Sequence, residues 1–352
     1  MGNLTFLLTY LIISFLLTII IIPTYIKCLN KFHIGKKIRK EALMGHATEF
    51  YKLHKGKSDT PTMGGGVILL VLFTLVIISM VIQTFSDQIA NLFNIHIKYS
   101  LFNRKETYLA LFTLFSAGLI GFIDDYLNSR EIGRTKGLSA KFKMGFLIFF
   151  GLIGAYWFYY KLGFNSIKLP YIGDIHIGIF YIPLFVFIII SMANSVNITD
   201  GLDGLAGGLL LFNYGVYAII TYRSGLLILS ALCLIIVGSL MAFLWFNIKP
   251  AKFYMGDVGV LALGANLGII AMMTNTLLVL VIISGIYIVE VSSSIIQIVS
   301  KKCRNGKKVF KIAPYHHHLE ACGWAEETIV MRFWLIGMIL SSAGLLVSFL
   351  LK

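Results

Sequence analysis

Residues 194–208 read NSVNITDGLDGLAGG. The stretch leaves one apolar run, Ile179 to Val196, and enters another through Gly201, Gly204, Gly207 and Gly208. Between the runs it places Asn194, Asn197, Asp200 and Asp203. Runs this long cross a bilayer as helices, because lipid offers no partner for an unpaired backbone group. Polar side chains at such a boundary are costly unless solvated or paired, which makes them candidates for function. Asp200 and Asp203 are three apart, the spacing that puts two side chains on one face of a helical turn. Aspartate and glycine are also ordinary capping residues, so the stretch alone also admits the reading of a capped loop.

The rest of the chain settles the class. Of its 352 residues 58% are hydrophobic and 13% charged, against about a quarter charged in a soluble domain, and the mean hydropathy is +0.85. This is the composition of an all-α polytopic membrane protein. About ten segments reach spanning length, near 5–26, 63–83, 107–123, 142–161, 179–196, 204–222, 225–246, 257–274, 276–299 and 331–351. They form a single transmembrane catalytic domain, 1–352. The first run is not a cleaved leader: no basic residues precede Thr5, and the run ends in lysines. Cys28, Cys233, Cys303 and Cys322 have no paired spacing and read as free thiols.

The net charge of +14 is unevenly placed. Most lysines and arginines fall in alternate loops: 27–62, 124–143, 247–256 and 300–330. The positive-inside rule makes that face cytoplasmic and both termini extracytoplasmic. Most of these cations set topology and meet anionic lipid heads. There is no separate basic domain, so nucleic acid is not an expected partner.

The polar motifs fall on the same face. Before the second span, Lys57 and Thr62 flank a Pro61 turn that leads into Gly64, Gly65 and Gly66, where a phosphate could meet a helix N-terminus. The glycines follow the lysine, so this is not a Walker A loop. The third span ends in Asp124-Asp125, although a helix C-terminus disfavours negative charge. A divalent cation would compensate, since Mg²⁺ takes one or two carboxylates plus substrate phosphates; Arg130, Arg134 and Lys136 are the alternative. The seventh span ends at Asn247, and Tyr254 and Asp257 open the eighth. Tyr254 or Phe253 could stack a base, or both could only anchor at the interface. Glu290 lies inside the ninth span, where it either pins a bend or lines a site. His316, His317 and His318 are consecutive, so they cannot share a helical face as zinc ligands, and they read as loop donors to phosphate or sugar. Carboxylates, amides, a lysine, histidines and an aromatic ring from five loops suit a Mg²⁺ site for a nucleotide-like phosphorylated substrate, with a lipid as the second substrate.

These motifs carry a resemblance. TPTMGG (60–65), FIDDY (122–126), NxxNxTDGLDGLA (194–206), MGDVG (255–259) and APxHHHxE (313–320) resemble the polyprenyl-phosphate N-acetylhexosamine-1-phosphate transferases, most closely the branch that uses a muramoyl-pentapeptide donor. The resemblance implies ten spans, a homodimer and a bacterial inner-membrane location. It implies Mg²⁺-dependent transfer of phospho-MurNAc-pentapeptide from UDP-MurNAc-pentapeptide to undecaprenyl phosphate, yielding lipid I and UMP. By motif, Asp124, Asp125 and Asp257 become the carboxylate and metal centre. Asn194, Asn197, Asp200, Asp203, Asn247 and Tyr254 fall at the nucleotide end, and Lys57, Thr62 and His316–His318 near the phosphate or sugar. The chain departs from the family pattern at Asp59, Asn128, Tyr254 and 42–53. The alternatives are the sister branch that uses UDP-GlcNAc and, from another class, a cation-coupled transporter. A transporter would place its carboxylates near mid-membrane and often shows inverted repeats.

Overall fold

The computed structural model describes residues 2–35, 60–86, 88, 100–102, 105–133 and 137–351, with the backbone of 41–42 and 45–46. Lys57, Asp59, Arg134 and Lys136 lie outside the described residues. The long helices are α1 (Asn3–Lys31), α2 (Gly65–Thr84), α3 (Lys105–Ser129), α4 (Ala140–Tyr156), α5 (Tyr181–Thr199), α6 (Leu205–Arg223), α7 (Leu227–Asn247) and α8 (Gly256–Met273). They are followed by short α9 (Leu277–Ile283), α10 (Gly285–Cys303), short α11 (Tyr315–Ala321) and α12 (Glu326–Leu350). Nine helices among the described residues are long and apolar enough to cross a membrane, or ten if α9 and α10 count as one span. The protein is thus an all-α, multi-pass membrane protein.

The segment expected at 276–299 is not one straight helix. It breaks at Ser284, and the α9 and α10 axes differ by 71°. Ser284-Gly285 is the kind of small-residue pair at which helices kink, and Ser284 is buried where its Oγ donates to Met192 Sδ at 3.5 Å. Beyond the break, α10 turns Tyr287, Glu290, Ser293, Gln297 and Ser300 inward. The loop around Pro170 is the expected hairpin, pairing Ser166–Leu169 with Gly173–His176. All four cysteines are free thiols.

Helix α8 is the centre of the bundle, and almost every residue of it is buried. It packs against α3, α5 and α2. Small residues make this possible by letting backbones approach closely. Gly121 of α3 lies directly on the Asp257–Val258 backbone, and Gly65 of α2 lies on Gly259. The crossing at Gly121 sets Asp124 and Asp125, one turn further along α3, beside the first turn of α8.

Candidate active site

Thr60–Gly65 enters α2 along the segment that enters α8. The Tyr254 amide donates to Pro61 O at 2.8 Å, and the Gly64 and Gly65 amides donate to Tyr254 O and Met255 O, each at 2.7 Å. Met63 takes a left-handed φ of 68° to make the turn, and its carbonyl accepts the Tyr25 hydroxyl at 2.9 Å. These contacts bring Thr62, Tyr254 and Asp257 to one wall.

Asp257 meets two more aspartates and one lysine there. The Lys143 ammonium is 2.9 Å from both Asp124 Oδ2 and Asp257 Oδ2. The other Asp257 oxygen accepts from Asn197 Nδ2 at 2.8 Å, and Asp124 Oδ1 accepts from the Leu138 amide at 2.6 Å. Asp125 faces elsewhere. Its Oδ2 accepts from the Val258 amide at 3.1 Å, so it caps the N-terminus of α8 from a neighbouring helix. The charge at the end of α3 is therefore balanced by Lys143 and by α8. Arg130 sits over the Tyr126 ring.

A polar cavity of about 150 Å³ opens here, lined by Gly35, Thr62, Asp125, Asn128, Ser129, Asn197, Asp200, Tyr254, Gly256 and Asp257. It has room for about five waters, the scale of a phosphate or ribose fragment. Asn128, one of the departures from the family pattern, still contributes a polar group to it.

The structure thus gathers Thr62, Asp125, Asn197, Asp200, Tyr254 and Asp257 on one cavity, with Asp124 adjoining through Lys143. Asn194 is one turn deeper and donates to Ile190 O at 2.8 Å. Asp200 and Asp203 do not share a helical face, because α5 ends at Thr199 and 200–204 is a turn. Asp200 lines the cavity. Asp203 is buried, and its Oδ2 accepts the Ala251 amide at 3.1 Å. Asn247 is likewise a clasp: its Oδ1 accepts the Gly204 amide at 3.1 Å and its Nδ2 donates to Phe253 O at 2.8 Å. Phe253 is fully buried against Phe243, which leaves Tyr254 as the ring on the cavity. Burial, with Asp203 nearby, raises the Tyr254 pKa, so the ring carries a neutral hydroxyl.

The histidines belong to a short helix, α11, and not to an irregular loop. As expected they do not share a face, and they stand behind the 200–204 turn without lining the cavity. His316 Nδ1 pairs with Glu290 Oε2 at 2.9 Å, both groups wholly buried. His317 Nδ1 pairs with Glu320 Oε2 at 2.6 Å. Both rings press on Gly201, where a Cβ would collide with His316 Nε2. His318 Nδ1 accepts the Lys311 amide at 3.2 Å. Glu290 thus holds His316 in place.

Sequence reasoning missed two participants. Lys143 falls among the topological cations of the 124–143 loop, yet a lysine one turn after the Ser139 N-cap opposes the helix dipole, and that is its signal. Glu326, in the first turn of α12, accepts the Asp203 amide at 2.9 Å and pairs with Lys249 at 3.2 Å. A carboxylate is ordinary at a helix N-terminus, so nothing local marked it.

Among the described residues, no three carboxylate, imidazole or thiol groups converge as a metal cage. The donor set still fits a hard divalent cation, which needs only one or two carboxylates. Asp124 and Asp257 already share one cation, the Lys143 ammonium.

A bundle of apolar helices with a carboxylate-lined polar cavity at one end defines a multi-pass membrane protein with a candidate site for a polar ligand. Residues 107–275 match the family described as Glycosyl transferase family 4. The chain is 35% identical over 338 residues to the phospho-N-acetylmuramoyl-pentapeptide-transferase of Geobacillus sp. (strain WCH70), covering 95% of each chain. It is 35% identical over 348 residues to that of Oceanobacillus iheyensis, covering 97% of this chain and 98% of the relative. It is 36% identical over 338 residues to that of Halalkalibacterium halodurans, covering 95% and 94%. The chain belongs to the phospho-N-acetylmuramoyl-pentapeptide-transferase family and is an enzyme.

Proposed function

We propose that the enzyme transfers phospho-MurNAc-pentapeptide from UDP-MurNAc-pentapeptide to undecaprenyl phosphate, forming lipid I and UMP at the cytoplasmic face of a bacterial inner membrane. The reading includes a homodimer and a single catalytic domain spanning 1–352. The observation that carries it is the Asp124–Lys143–Asp257 cluster opening on a polar cavity at the end of a membrane bundle.

The cavity suits part of the donor's nucleoside diphosphate. The Tyr254 ring offers a stacking face to uracil, and Asp200 offers an acceptor to an N–H or hydroxyl. Thr62 and Asn197 line the same cavity as Asp257, and Lys143 adjoins it through its pair with Asp257; we assign these residues to the phosphate side. Mg²⁺, held by Asp257 with Asp124, would neutralise the diphosphate and the charge that grows on the departing phosphate. A lipid phosphate oxygen attacks the β-phosphorus, a new P–O bond forms, and the bond to UMP breaks with its electron pair leaving on UMP. A phosphate monoester is already mostly anionic at neutral pH, so Asp124 has little to gain as a base. Its place is better explained by orienting Lys143. Asp257→Asn keeps the side chain's size and removes its charge. UMP release from the purified variant is expected to fall below detection, and retained turnover would refute the role of Asp257.

A further inference from the structure

We infer that Glu326 is a positioning residue for the nucleoside end of the donor site, because its one carboxylate joins the two segments that carry Asp200 and Tyr254. The inference rests on the proposed donor reading and adds a residue to it.

The two segments come from distant parts of the chain: the turn 200–204 between α5 and α6, and the connection 248–255 between α7 and α8. Each contributes one residue to the nucleoside side of the cavity, Asp200 and Tyr254. Neither is a regular element, so their separation depends on bonds between them. Glu326 supplies both ends of one such link. Its Oε1 accepts the Asp203 amide at 2.9 Å, and its Oε2 pairs with Lys249 Nζ at 3.2 Å. The carboxylate is 6% exposed, whereas that of the adjoining Glu327, which also pairs with Lys249, is 57% exposed. A buried charge-assisted bond holds geometry better than an exposed one. Two further contacts join the same region. Asp203 Oδ2 accepts the Ala251 amide at 3.1 Å, and Trp334, two turns along α12 from Glu326, donates from Nε1 to Gly204 O at 3.2 Å. The turn and the connection are thus tied to each other and to α12. Asn247, at the end of α7, also bonds both segments; Glu326 is the side chain that reaches both from α12, while the Asp124–Lys143–Asp257 cluster lies on other helices. Loosening this link should therefore disturb donor binding more than the chemical step or the lipid site.

The test uses the full-length enzyme in lipid nanodiscs, with UMP release measured while donor and acceptor lipid are varied in turn. Glu326→Ala removes both bonds. Glu326→Gln keeps an acceptor for the Asp203 amide and loses the ion pair. Lys249→Met removes the ion pair from the partly exposed side, so it answers the question even if Glu326→Ala fails to fold. We expect Glu326→Ala to raise donor KM at least about fivefold, the effect of one net hydrogen bond, with kcat and acceptor KM within about twofold. Glu326→Gln and Lys249→Met should give smaller and matching increases, and the double variant should be no worse than either single one. An unchanged donor KM in Glu326→Gln and Lys249→Met overturns the inference. So does a proportionate loss in kcat, both KM values and Tm, which would show a merely structural role. If the wild-type enzyme does not release UMP from the muramoyl donor, the functional reading fails instead, and the two failures are told apart by that control.

Discussion

Lys143 stands at the start of α4, where the helix dipole disfavours a cation, and is held there by Asp124 and Asp257 at 2.9 Å each. A charge kept in a poor place by two carboxylates is positioned for a ligand that brings more negative charge. Lys143→Met should lower turnover at least about 100-fold, the scale for loss of a preorganised charge at a reacting phosphate, and Lys143→Arg should restore part of it. Steady-state UMP release checks both. Tyr254 is argued by its ring and not its hydroxyl. Tyr254→Phe should leave donor KM within about twofold, while Tyr254→Ala should raise it about tenfold, in line with stacking worth about 1–3 kcal/mol per base. The cavity aspartates stood out in the sequence because carboxylates at the ends of apolar runs are costly unless paired, and Tyr254 because it falls three residues before one of them. Lys143 did not, because the same loop carries lysines that only set topology. Asn247 and Asp203 were legible as polar but not as clasps, since each bonds the backbone of a segment dozens of residues away, Asn247 at Gly204 and Asp203 at Ala251.

At the scale of elements, α11 and the 200–204 turn act together. Glu290 fixes His316 through a buried pair, and the His316 and His317 rings close on Gly201. Gly201→Ala places a methyl group where His316 Nε2 stands. It should lower both Tm and turnover, and differential scanning fluorimetry alongside the UMP assay would read them. An alanine variant with wild-type Tm would show that the rings do not bear on the turn. His316 gives the wholly buried Glu290 carboxylate of α10 the hydrogen-bond partners that a buried polar group needs, from its ring Nδ1 and its backbone amide. The sequence presented Glu290 as a membrane carboxylate in need of a partner. It did not name His316, which lies beyond a loop in the next helix, α11. The break at Ser284 was illegible for a different reason: the apolar run continues through it, and hydropathy measures composition without direction.

At the scale of the whole molecule, the spans, the hairpin and the gathering of motifs from separate loops were legible, because long apolar runs and alternating charge leave few arrangements open. The carboxylates of the cavity meet at the ends of α3, α5 and α8 rather than in mid-bundle, which separates this architecture from a transporter with a midplane site. Which donor the cavity takes is the central claim, and it is tested most directly by presenting the purified enzyme with undecaprenyl phosphate, Mg²⁺ and either UDP-MurNAc-pentapeptide or UDP-GlcNAc. UMP release is expected with the muramoyl donor alone, abolished by EDTA and restored by Mg²⁺. Release from UDP-GlcNAc alone, or release from the muramoyl donor that EDTA leaves untouched, would contradict the account.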